Sequence, residues 1–374
     1  MNRRILVVAL NPALDLTYEL PTVDWAGVNR PVTVSSRPGG KGINVARTLH
    51  ALGADVLVMG LAGELTGHAV QSALAGAGVP AAFTEIGGET RRTLAVTDRD
   101  RGQTALFNEP GPPVTADEYA RFEDAFAAQL AGATAVVLSG SLPPGIPAST
   151  YADLIALAAA AGVPTLLDTS GEALVLGAAA GPEIVKPNLA ELLATADRRM
   201  TATTPEEGSA ARGDRAETSH HNAHGDRPAT GDCATDGNRP ACGDRAGWPD
   251  PAPSWCCSPV AAAARAAETL RQAGASAVVV TLGSDGLLAL TSEESWHARS
   301  LPVSGGNPTG AGDAAAAGLA HGLASGRPWR DRVTHAVALG AAAVTAPVAG
   351  ELDLSDYHRA LAGVQIGAAR QRWH

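Results

Sequence analysis

The stretch GNPTGAGDAAAAGLAHGL, residues 306–323, places one carboxylate directly after a run of glycines and at the start of an alanine-rich segment. The alanines predict a helix, and Asp is favoured at a helix start. Gly310, Ala311 and Gly312 let backbone N–H groups converge on an anion at the positive end of this helix. Asp313 beside a bound anion is unfavourable unless the acid is needed, for instance to take a proton from an attacking hydroxyl. Helix capping alone is the alternative interpretation.

The amino-acid composition limits the classes of protein to which the chain can belong. Hydrophobic residues make up 45% of the 374 residues and aromatic residues only 4%, so Ala, Val and Leu must fill the core. The net charge of −10 argues against a nucleic-acid-binding protein. No stretch approaches a membrane span, and the apolar run at 5–10 is too short for a signal peptide. All four cysteines lie at positions 233–257, outside the predicted core, which is typical of a cytoplasmic protein.

Lysine is almost absent from the chain. There are 26 arginines but only two lysines, Lys41 and Lys186. Where such a composition keeps Lys, a compact ammonium group that a guanidinium cannot replace is expected. The neighbouring sequences GGKGIN and VKPNLAE favour a functional role for both lysines over their chance survival.

Short apolar runs alternate with helical stretches along the chain. This alternation is typical of an α/β fold with a mostly parallel sheet covered by helices on both faces. The predicted strands are 4–10, 55–60, 135–139, 165–168, 183–186 and 277–282. The predicted helices are 42–52, 66–77, 116–130, 148–161, 188–194 and 260–273. A hairpin at 286–296, the Asp313 helix and further helices complete the prediction.

Two segments, 16–36 and 83–107, alternate polar and apolar residues and contain turn signals. The second predicts a hairpin that turns at Arg101-Gly102. Together they predict a small half-exposed sheet, which could cover a site as a lid or pair with a second subunit.

Residues 196–258 have a different composition from the rest. Positions 201–259 contain no Leu, Ile, Val, Phe or Tyr, and Gly-Asp-Arg occurs three times. Such a segment cannot bury enough apolar surface to offset its ordering entropy, so we predict a disordered insertion within a single domain, 1–374. Its cysteines and histidines lack a CxxC pair, which favours a solvated linker over a metal site.

A glycine-rich loop precedes the first predicted helix. In SRPGGKGIN, residues 36–44, Gly39 and Gly40 allow a ligand to approach the backbone closely. Lys41 and Asn44 crowd around the same glycines and can bind that ligand through charge and hydrogen bonds. The loop therefore predicts a substrate site, with a purely structural turn as the alternative.

Polar residues also follow several predicted strands. Asp15 follows the first strand and Ser139 ends another, at the edge where open α/β sheets bind ligands. Asn188 and Glu191 lie three residues apart, on one helical face. A carboxylate in that position can hold Mg²⁺ or its waters. A turn carboxylate at Asp15 and a capping arrangement at Asn188 and Glu191 are the alternatives.

Six motifs extend this pattern over nearly the whole chain: GGKGINVA, SGSLPPG, LDTSGEAL, KPNLAEL, VVVTLGSDG and PTGAGDAAAAG. In this order they resemble the ribokinase-like family of carbohydrate kinases, in particular its phosphofructokinase B branch. That branch includes 1-phosphofructokinase and tagatose-6-phosphate kinase. The resemblance covers about residues 4–195 and 260–350. It implies a Rossmann-type, mostly parallel sheet with a small β lid, ATP and Mg²⁺ as cofactors, and a homodimer formed through the lid.

The resemblance also implies roles for matching residues. Asp313 resembles the catalytic base, and the backbone of Gly310, Ala311 and Gly312 resembles the anion hole. The residues that resemble the sugar site are Asp15, Gly40, Lys41 and Asn44. The residues that resemble those serving the nucleotide phosphates and Mg²⁺ are Lys186, Asn188 and Glu191. The residues that match the nucleotide-side strand and turn are Thr281, Gly283 and Gly286.

The acceptor is expected to be a sugar phosphate. Arg91 follows Thr90 where the sugar-phosphate branch carries a substrate arginine, and with Lys41 and Ser139 it could clamp a phosphate. A solvated hairpin charge is the alternative for Arg91. The missing Asn of the usual TRxN pattern weakens the case for fructose 1-phosphate, beside fructose 6-phosphate and tagatose 6-phosphate. A kinase for a free sugar or nucleoside, or a non-catalytic sensing protein, is the alternative function.

Overall fold

The computed structural model of the protein describes residues 4–202, 259–302, 306, 308–346 and 348–368. The strands are β1 (Arg4–Ala9), β2 (Ala13–Leu20), β3 (Thr33–Gly39), β4 (Val56–Ala62), β5 (Ala81–Glu85), β6 (Arg92–Asp98), β7 (Gln103–Asn108), β8 (Ala133–Ser139), β9 (Thr165–Asp168), β10 (Ile184–Val185), β11 (Ala277–Thr281), β12 (Leu287–Leu290), β13 (Ser295–Arg299) and β14 (Gln365–Ala368). The helices are α1 (Lys41–Ala51), α2 (Glu64–Gly76), α3 (Ala116–Leu130), α4 (Thr150–Ala160), α5 (Gly171–Ala179), α6 (Leu189–Ala202), α7 (Pro259–Ala273), α8 (Ala311–Ala324), α9 (Trp329–Thr345) and α10 (Leu354–Ala362).

Ten of these strands form one sheet in the order β14-β13-β12-β11-β10-β9-β8-β1-β4-β5. The strands from β11 to β5 in this order run parallel, and β12, β13 and β14 continue the sheet antiparallel. The chain builds outward from β1 in both directions, through β4 on one side and β8 on the other. The carboxyl end of β1 is therefore a topological switch point, where α/β sheets open a crevice for ligands.

Alternate side chains of β1 enter the two halves of the core. Leu6 and Val8 pack with side chains that include Phe122 of α3. Ile5 and Val7 pack on the opposite face. Each fully buried side chain of this kind stabilises the fold by about 1.5–3 kcal/mol. Because both faces are covered, the central strands have continuous apolar sequences rather than alternating ones, and this is why they could be recognised in the sequence.

A separate four-stranded sheet has the order β3-β2-β6-β7. Its hairpin β6–β7 turns through Gly102, whose φ of 61° favours glycine. Buried Asp98 holds the turn by accepting hydrogen bonds from the Val23 and Arg101 N–H groups. Strand β2 begins just after β1, and β3 leads into α1, so the small sheet is joined to the switch point at both strands. The predicted α/β class, the separate small sheet and its hairpin are confirmed.

The predicted limits of strands and segments are wrong at the two edges of the ten-stranded sheet. The segment 83–107 was assigned entirely to the lid, but its first residues belong to β5, which pairs parallel with β4 in the large sheet. Strand β5 is an edge strand with exposed positions, so its pattern resembles that of a lid strand. At the other edge, β14 follows the C-terminal helices where only helices were expected, and α5 had no predicted counterpart.

The boundary of the insertion also differs from the prediction. Helix α6 continues to Ala202, beyond the expected start of the insertion at 196. Residues 203–258, with the cysteines and histidines discussed above, lie outside the described residues, and their disorder stays a prediction. In the described ranges, no helix combines the length and apolar character that crossing a membrane requires.

Candidate active site

A cavity of about 440 Å³ opens beside the carboxyl ends of β1 and β8. Its lining combines cations, carboxylates and hydroxyl groups, and the residues that matter below are Asn11, Lys41, Arg91, Glu109, Ser139 and Glu191. Ser139 is 1% exposed and its Oγ has no hydrogen-bond partner within the described parts of the chain. A buried hydroxyl that lacks a partner is costly unless a ligand completes it. The lining therefore suits a polar, anionic ligand.

Asp313 lies in the first turn of α8, where Gly310 begins the helix with φ of 87°. Its carboxylate is 8% exposed and accepts a hydrogen bond from Asn44 Nδ2, at 2.9 Å from Oδ2. Burial raises the pKa of Asp313 to about 6, and the charge of Asp168 adds to this effect, while Asn44 and the lysines oppose it. An acid with this pKa is suited to accept a proton near neutral pH.

The start of α8 provides part of the expected anion cradle. Helix geometry leaves the first N–H groups without partners inside the helix. The Ala311 N–H donates to Pro308 O at 3.2 Å, so one of the three predicted amides is engaged in a turn. At Gly312, the nearest atom to a Cβ would be Lys186 Nζ, at 3.8 Å. An anion at this helix start would therefore also be close to an ammonium group.

Four charged side chains form a cluster between α1, β9 and α6. Lys41 Nζ lies 3.0 Å from Glu191 Oε1 and 3.4 Å from Asp168 Oδ1. Lys186 Nζ lies 3.3 Å from Asp168 Oδ2. Burial alone would lower the pKa of Lys41, but Asp168 and Glu191 outweigh it and raise this pKa above its ordinary value. The Lys41 ammonium group is therefore held charged beside the cavity, while Lys186 lies beside Gly312 at the start of α8.

Asn188 and Glu191 cap the start of α6 reciprocally. The Asn188 N–H donates to Glu191 Oε2 at 2.9 Å, and the Glu191 N–H donates to Asn188 Oδ1 at 2.8 Å. The capping alternative raised by the sequence is thus realised. Glu191 still lines the cavity and presents Oε1 to Lys41. One carboxylate at the edge of the cavity fits a Mg²⁺ ion that arrives with phosphates and keeps its waters, since Mg²⁺ seldom uses an all-protein cage.

The Asp15 carboxylate of β2 lies over Gly39 of β3, which pairs in register with Ala13. A Cβ on Gly39 would lie only 1.9 Å from Asp15 Oδ2, so a side chain at position 39 would require the Asp15 carboxylate to move. Burial raises the pKa of Asp15, while a hydrogen bond with Thr93 and the charges of Arg91 and Arg47 lower it. Asp15 does not line the cavity and lies in the small sheet behind Gly40 and Lys41.

Arg91 is directed by backbone carbonyls into the cavity. Its Nε donates to Asn11 O at 3.1 Å and its Nη1 to Glu109 O at 3.4 Å. Arg92 is exposed and pairs with the Glu109 side chain. The solvated alternative therefore describes Arg92 rather than Arg91. Remaining donors of the Arg91 guanidinium can bind an anion in the cavity.

The predicted nucleotide residues lie at the ends of β10 and β11, outside the cavity lining. Asn188 and Thr281 form a parallel bridge that joins the two strand ends. Gly283 and Gly286 have positive φ angles of 61° and 85°. A Cβ on Gly286 would lie 2.0 Å from Ala298 O, which gives this glycine a structural role in the hairpin.

Sequence reasoning missed two residues at the centre of the site. Asn11 donates from Nδ2 both to Pro110 O and to Ser141 Oγ, which ties the end of β1 to two loops of the cavity. Asp168 was quoted within LDTSGEAL without a role, although it ends a predicted strand at the ligand-binding edge. Its position at a strand end was the signal that could have identified it.

The sequence profile described as "pfkB family carbohydrate kinase" matches residues 9–218 and 253–355. The chain belongs to this family. A tagatose-6-phosphate kinase of Staphylococcus epidermidis is 35% identical over 199 residues, which cover 53% of this chain and 64% of that relative. The aligned part thus spans less than two thirds of the relative's length.

Solved structures extend the similarity over almost the full chain. Escherichia coli phosphofructokinase-2 in complex with fructose-6-phosphate superposes with a TM-score of 0.72 at 28% identity, covering 97% of this chain and 99% of that one. A tetrameric inhibited form of the same E. coli protein gives a TM-score of 0.73. Arabidopsis thaliana ribokinase, at 19% identity and a TM-score of 0.63 over 96% of this chain and 99% of that one, shares the fold. The ribokinase-like fold expected from the motifs is confirmed.

The raised pKa of Asp313 predicts a stability cost. The pKa of Asp313 is the ordinary 3.8 in the unfolded chain and about 6 in the folded chain. At a pH above both values the group is ionised in both states, and the buried carboxylate then destabilises the folded state. Asp313→Asn removes this cost. Its free energy of unfolding should exceed that of the wild type by about 2–3 kcal/mol near pH 7.5, and the difference should vanish below about pH 4.

Urea unfolding at several pH values measures this difference. Asp124→Asn, on the exposed face of α3, makes the same chemical change away from the site and should leave stability unchanged at each pH. An Asp313→Asn variant that is no more stable than the wild type at pH 7.5 would contradict the assigned pKa.

Proposed function

We propose that the protein is an ATP-dependent kinase that phosphorylates a hydroxyl group of a phosphorylated ketohexose, giving a bisphosphate. Membership of a carbohydrate kinase family supports the reaction type. The observation that carries the proposal is the buried Asp313 carboxylate, held by Asn44 at the open start of α8 with the ammonium group of Lys186 nearby. A cytoplasmic location, expected from the positions of the cysteines, is part of the proposal.

In this reaction Asp313 accepts the proton of the attacking sugar hydroxyl. The hydroxyl oxygen forms a bond to the γ-phosphorus of ATP while the bond from that phosphorus to the leaving ADP oxygen breaks. Positioning and charge stabilisation provide most of the catalysis in phosphoryl transfer. The N–H groups at Gly310 and Gly312 and the ammonium of Lys186 are suited to stabilise the transferring group, whereas the Ala311 N–H would first have to leave Pro308 O.

The nucleotide is expected beyond Lys186, at Asn188, Thr281, Gly283 and Gly286. When bound, Mg²⁺ would neutralise phosphate charge, and Glu191 is the residue that would hold it or its waters. Lys41 contacts Glu191 and also lines the cavity, so it can contact a ligand on the sugar side.

The residues that line the cavity favour an acceptor that carries a phosphate group. Arg91 enters the cavity with free donors, Lys41 adds a second cation, and the buried Ser139 hydroxyl needs a partner. A neutral sugar would offer no anion to the remaining donors of the Arg91 guanidinium. The similar E. coli protein was solved with fructose-6-phosphate and the similar S. epidermidis protein is named for tagatose 6-phosphate, so these two acceptors are the first to test.

A screen of acceptors tests the reaction directly. ADP release is measured with Mg²⁺ and ATP over fructose 1-phosphate, fructose 6-phosphate, tagatose 6-phosphate, their free sugars and nucleosides. A sugar phosphate should give the highest kcat/KM, and Asp313→Asn should lower kcat by ~10²–10⁴-fold. Binding of a sugar phosphate without turnover by the wild type would instead indicate a sensing protein, and full activity of Asp313→Asn would remove the base.

Arg91 should distinguish phosphorylated from free sugars. Arg91→Ala should raise KM for the phosphorylated acceptor by ~10–100-fold, since charge-assisted hydrogen bonds to a phosphate are lost. Arg92→Ala is the matched control, because this exposed neighbour pairs with Glu109 and should change KM by less than ~3-fold. Equal effects of the two variants would contradict a phosphate site at Arg91.

A homodimer through the small sheet is the proposed assembly. Val34 on β3 and Phe107 on β7 lie on one face of this sheet by register and are 60% and 51% exposed. Trp25, in the connection between β2 and β3, is 75% exposed. Exposed apolar side chains grouped on one sheet suit contact with a second copy of that sheet.

Light scattering tests this assembly. The wild type should have the mass of a dimer, and Val34→Glu combined with Phe107→Glu should shift it toward the monomer. Leu354→Glu, which changes an exposed leucine on α10, is the control and should leave the mass unchanged. A monomeric wild type would rule the interface out.

A further inference from the structure

Both lysines of the chain contact the same buried carboxylate. Asp168 ends β9 with 0% exposure. Lys41 Nζ lies 3.4 Å from its Oδ1 and Lys186 Nζ lies 3.3 Å from its Oδ2. The contact to Oδ2 is an ion pair without hydrogen-bond geometry, so this oxygen has no hydrogen-bond partner in the portion of the chain that is described.

The two lysines reach Asp168 from opposite sides. Lys41, at the start of α1, lines the cavity and also contacts Glu191. Lys186 follows β10, is 3% exposed and lies beside Gly312 at the start of α8. Asp168 therefore stands between the sugar-side cavity and the helix start, with one cation directed to each.

This geometry explains why lysine is kept in a chain that otherwise uses arginine. A guanidinium group tends to bind both oxygens of a carboxylate at once in a fixed plane, so it is less suited than an ammonium group to contact a single oxygen and share the carboxylate. Two ammonium groups can share one carboxylate, one on each oxygen. Each ammonium has three N–H donors, so both retain donors for a ligand.

Because Asp168 and Lys186 are buried, their charges are costly unless each one is paired. A carboxylate with no exposure is unfavourable unless it is paired, and so is a buried ammonium. Removing Asp168 would leave Lys186 without a close counter-ion, and Lys41 would keep only Glu191. Each would then turn toward the remaining carboxylates, Glu191 and Asp313.

We propose that Asp168 is a positioning residue that holds Lys41 at the acceptor cavity and Lys186 at the start of α8, so that both cations flank the phosphoryl group in transfer. The catalytic part of this proposal rests on the proposed function. The groups that face Asp313 are Asn44 and Lys41 from α1, Lys186 after β10 and Asp168 from β9. The charge of Asp168 also helps to raise the pKa of Asp313.

The two lysines allow a test that needs no activity. Protein labelled with ¹³C at lysine Cε gives two NMR signals, which Lys41→Arg and Lys186→Arg assign by removing one each. Asp168→Asn should move both signals toward the position of a free lysine. Glu191→Gln should move only the Lys41 signal, because Glu191 contacts only that lysine. Asp124→Asn, the same change on exposed α3, should move neither.

The signals are compared in variants that keep a cooperative urea transition. If Asp168→Asn does not fold, Lys186→Met removes one buried cation, and adding Asp168→Asn to that variant should still move the Lys41 signal. The proposal is overturned if Asp168→Asn moves one signal or none, or if neither variant folds, since Asp168 would then be a residue of folding alone.

A pH profile tests the effect on transfer. Asp168→Asn should lower kcat by ~10-fold or more and shift the acidic limb of kcat/KM to lower pH by about half a unit or more, since a like charge near Asp313 is lost. A purely structural role would lower activity without moving this limb and would contradict the proposal. If the wild type has no kinase activity, the proposed function fails, while the lysine signals still decide the placement of the cations.

Discussion

The hydrogen bond from Asn44 to Asp313 joins the starts of two helices, and the site is built around this contact. Helices α1 and α8 each begin at a glycine with positive φ, Gly40 at 93° and Gly310 at 87°, and neither has a side-chain cap. No side chain therefore occupies the N–H groups of these helix starts, and among them the Ala311 N–H is engaged by Pro308 O. The contact fixes the two helix starts relative to each other, and the strands β1, β8 and β9 place the remaining polar groups between them.

Burial and charge are balanced closely around this contact. Asp168, Glu191 and Asp313 supply three carboxylates, and Lys41 and Lys186 supply two ammonium groups. One acid is consequently left without a cation of its own, and it is Asp313, whose pKa is raised. The same arrangement that disfavours the folded state at neutral pH gives a base of suitable strength, as is common where function and stability compete.

The sequence predicted the centre of the fold better than its edges. Strand β9 was predicted at its limits, and α3 likewise. Strand β9 has two leucines at its centre and is buried throughout, and α3 is a regular helix that begins at a Thr115 capping box. Strand β5 was misassigned because it is an edge strand with exposed and half-buried positions, like a strand of the small sheet. The spacing of apolar residues in a sequence reflects which side chains are buried. A strand at the edge of the large sheet is only partly buried, as a strand of the small sheet is, so the two cannot be told apart by this spacing.

The residues of the site were also only partly predictable from the sequence. The motifs and the scarcity of lysine pointed to Asp313, Lys41 and Lys186, which the structure brings close together. Asp168 could not be given a role from the sequence, because its role arises from two lysines that are 127 and 18 residues away along the chain and meet only in the fold. The reciprocal caps of Asn188 and Glu191 also show that one pair of side chains can serve a helix start and a site at once.

A crystal structure with ADP, aluminium fluoride, Mg²⁺ and the preferred sugar phosphate tests the central claim most directly. The account predicts the fluoride group against the N–H groups at the start of α8, with the acceptor oxygen about 3 Å from the Asp313 carboxylate. An acceptor oxygen directed away from Asp313, or a fluoride group bound far from Gly312 and Lys186, would contradict it.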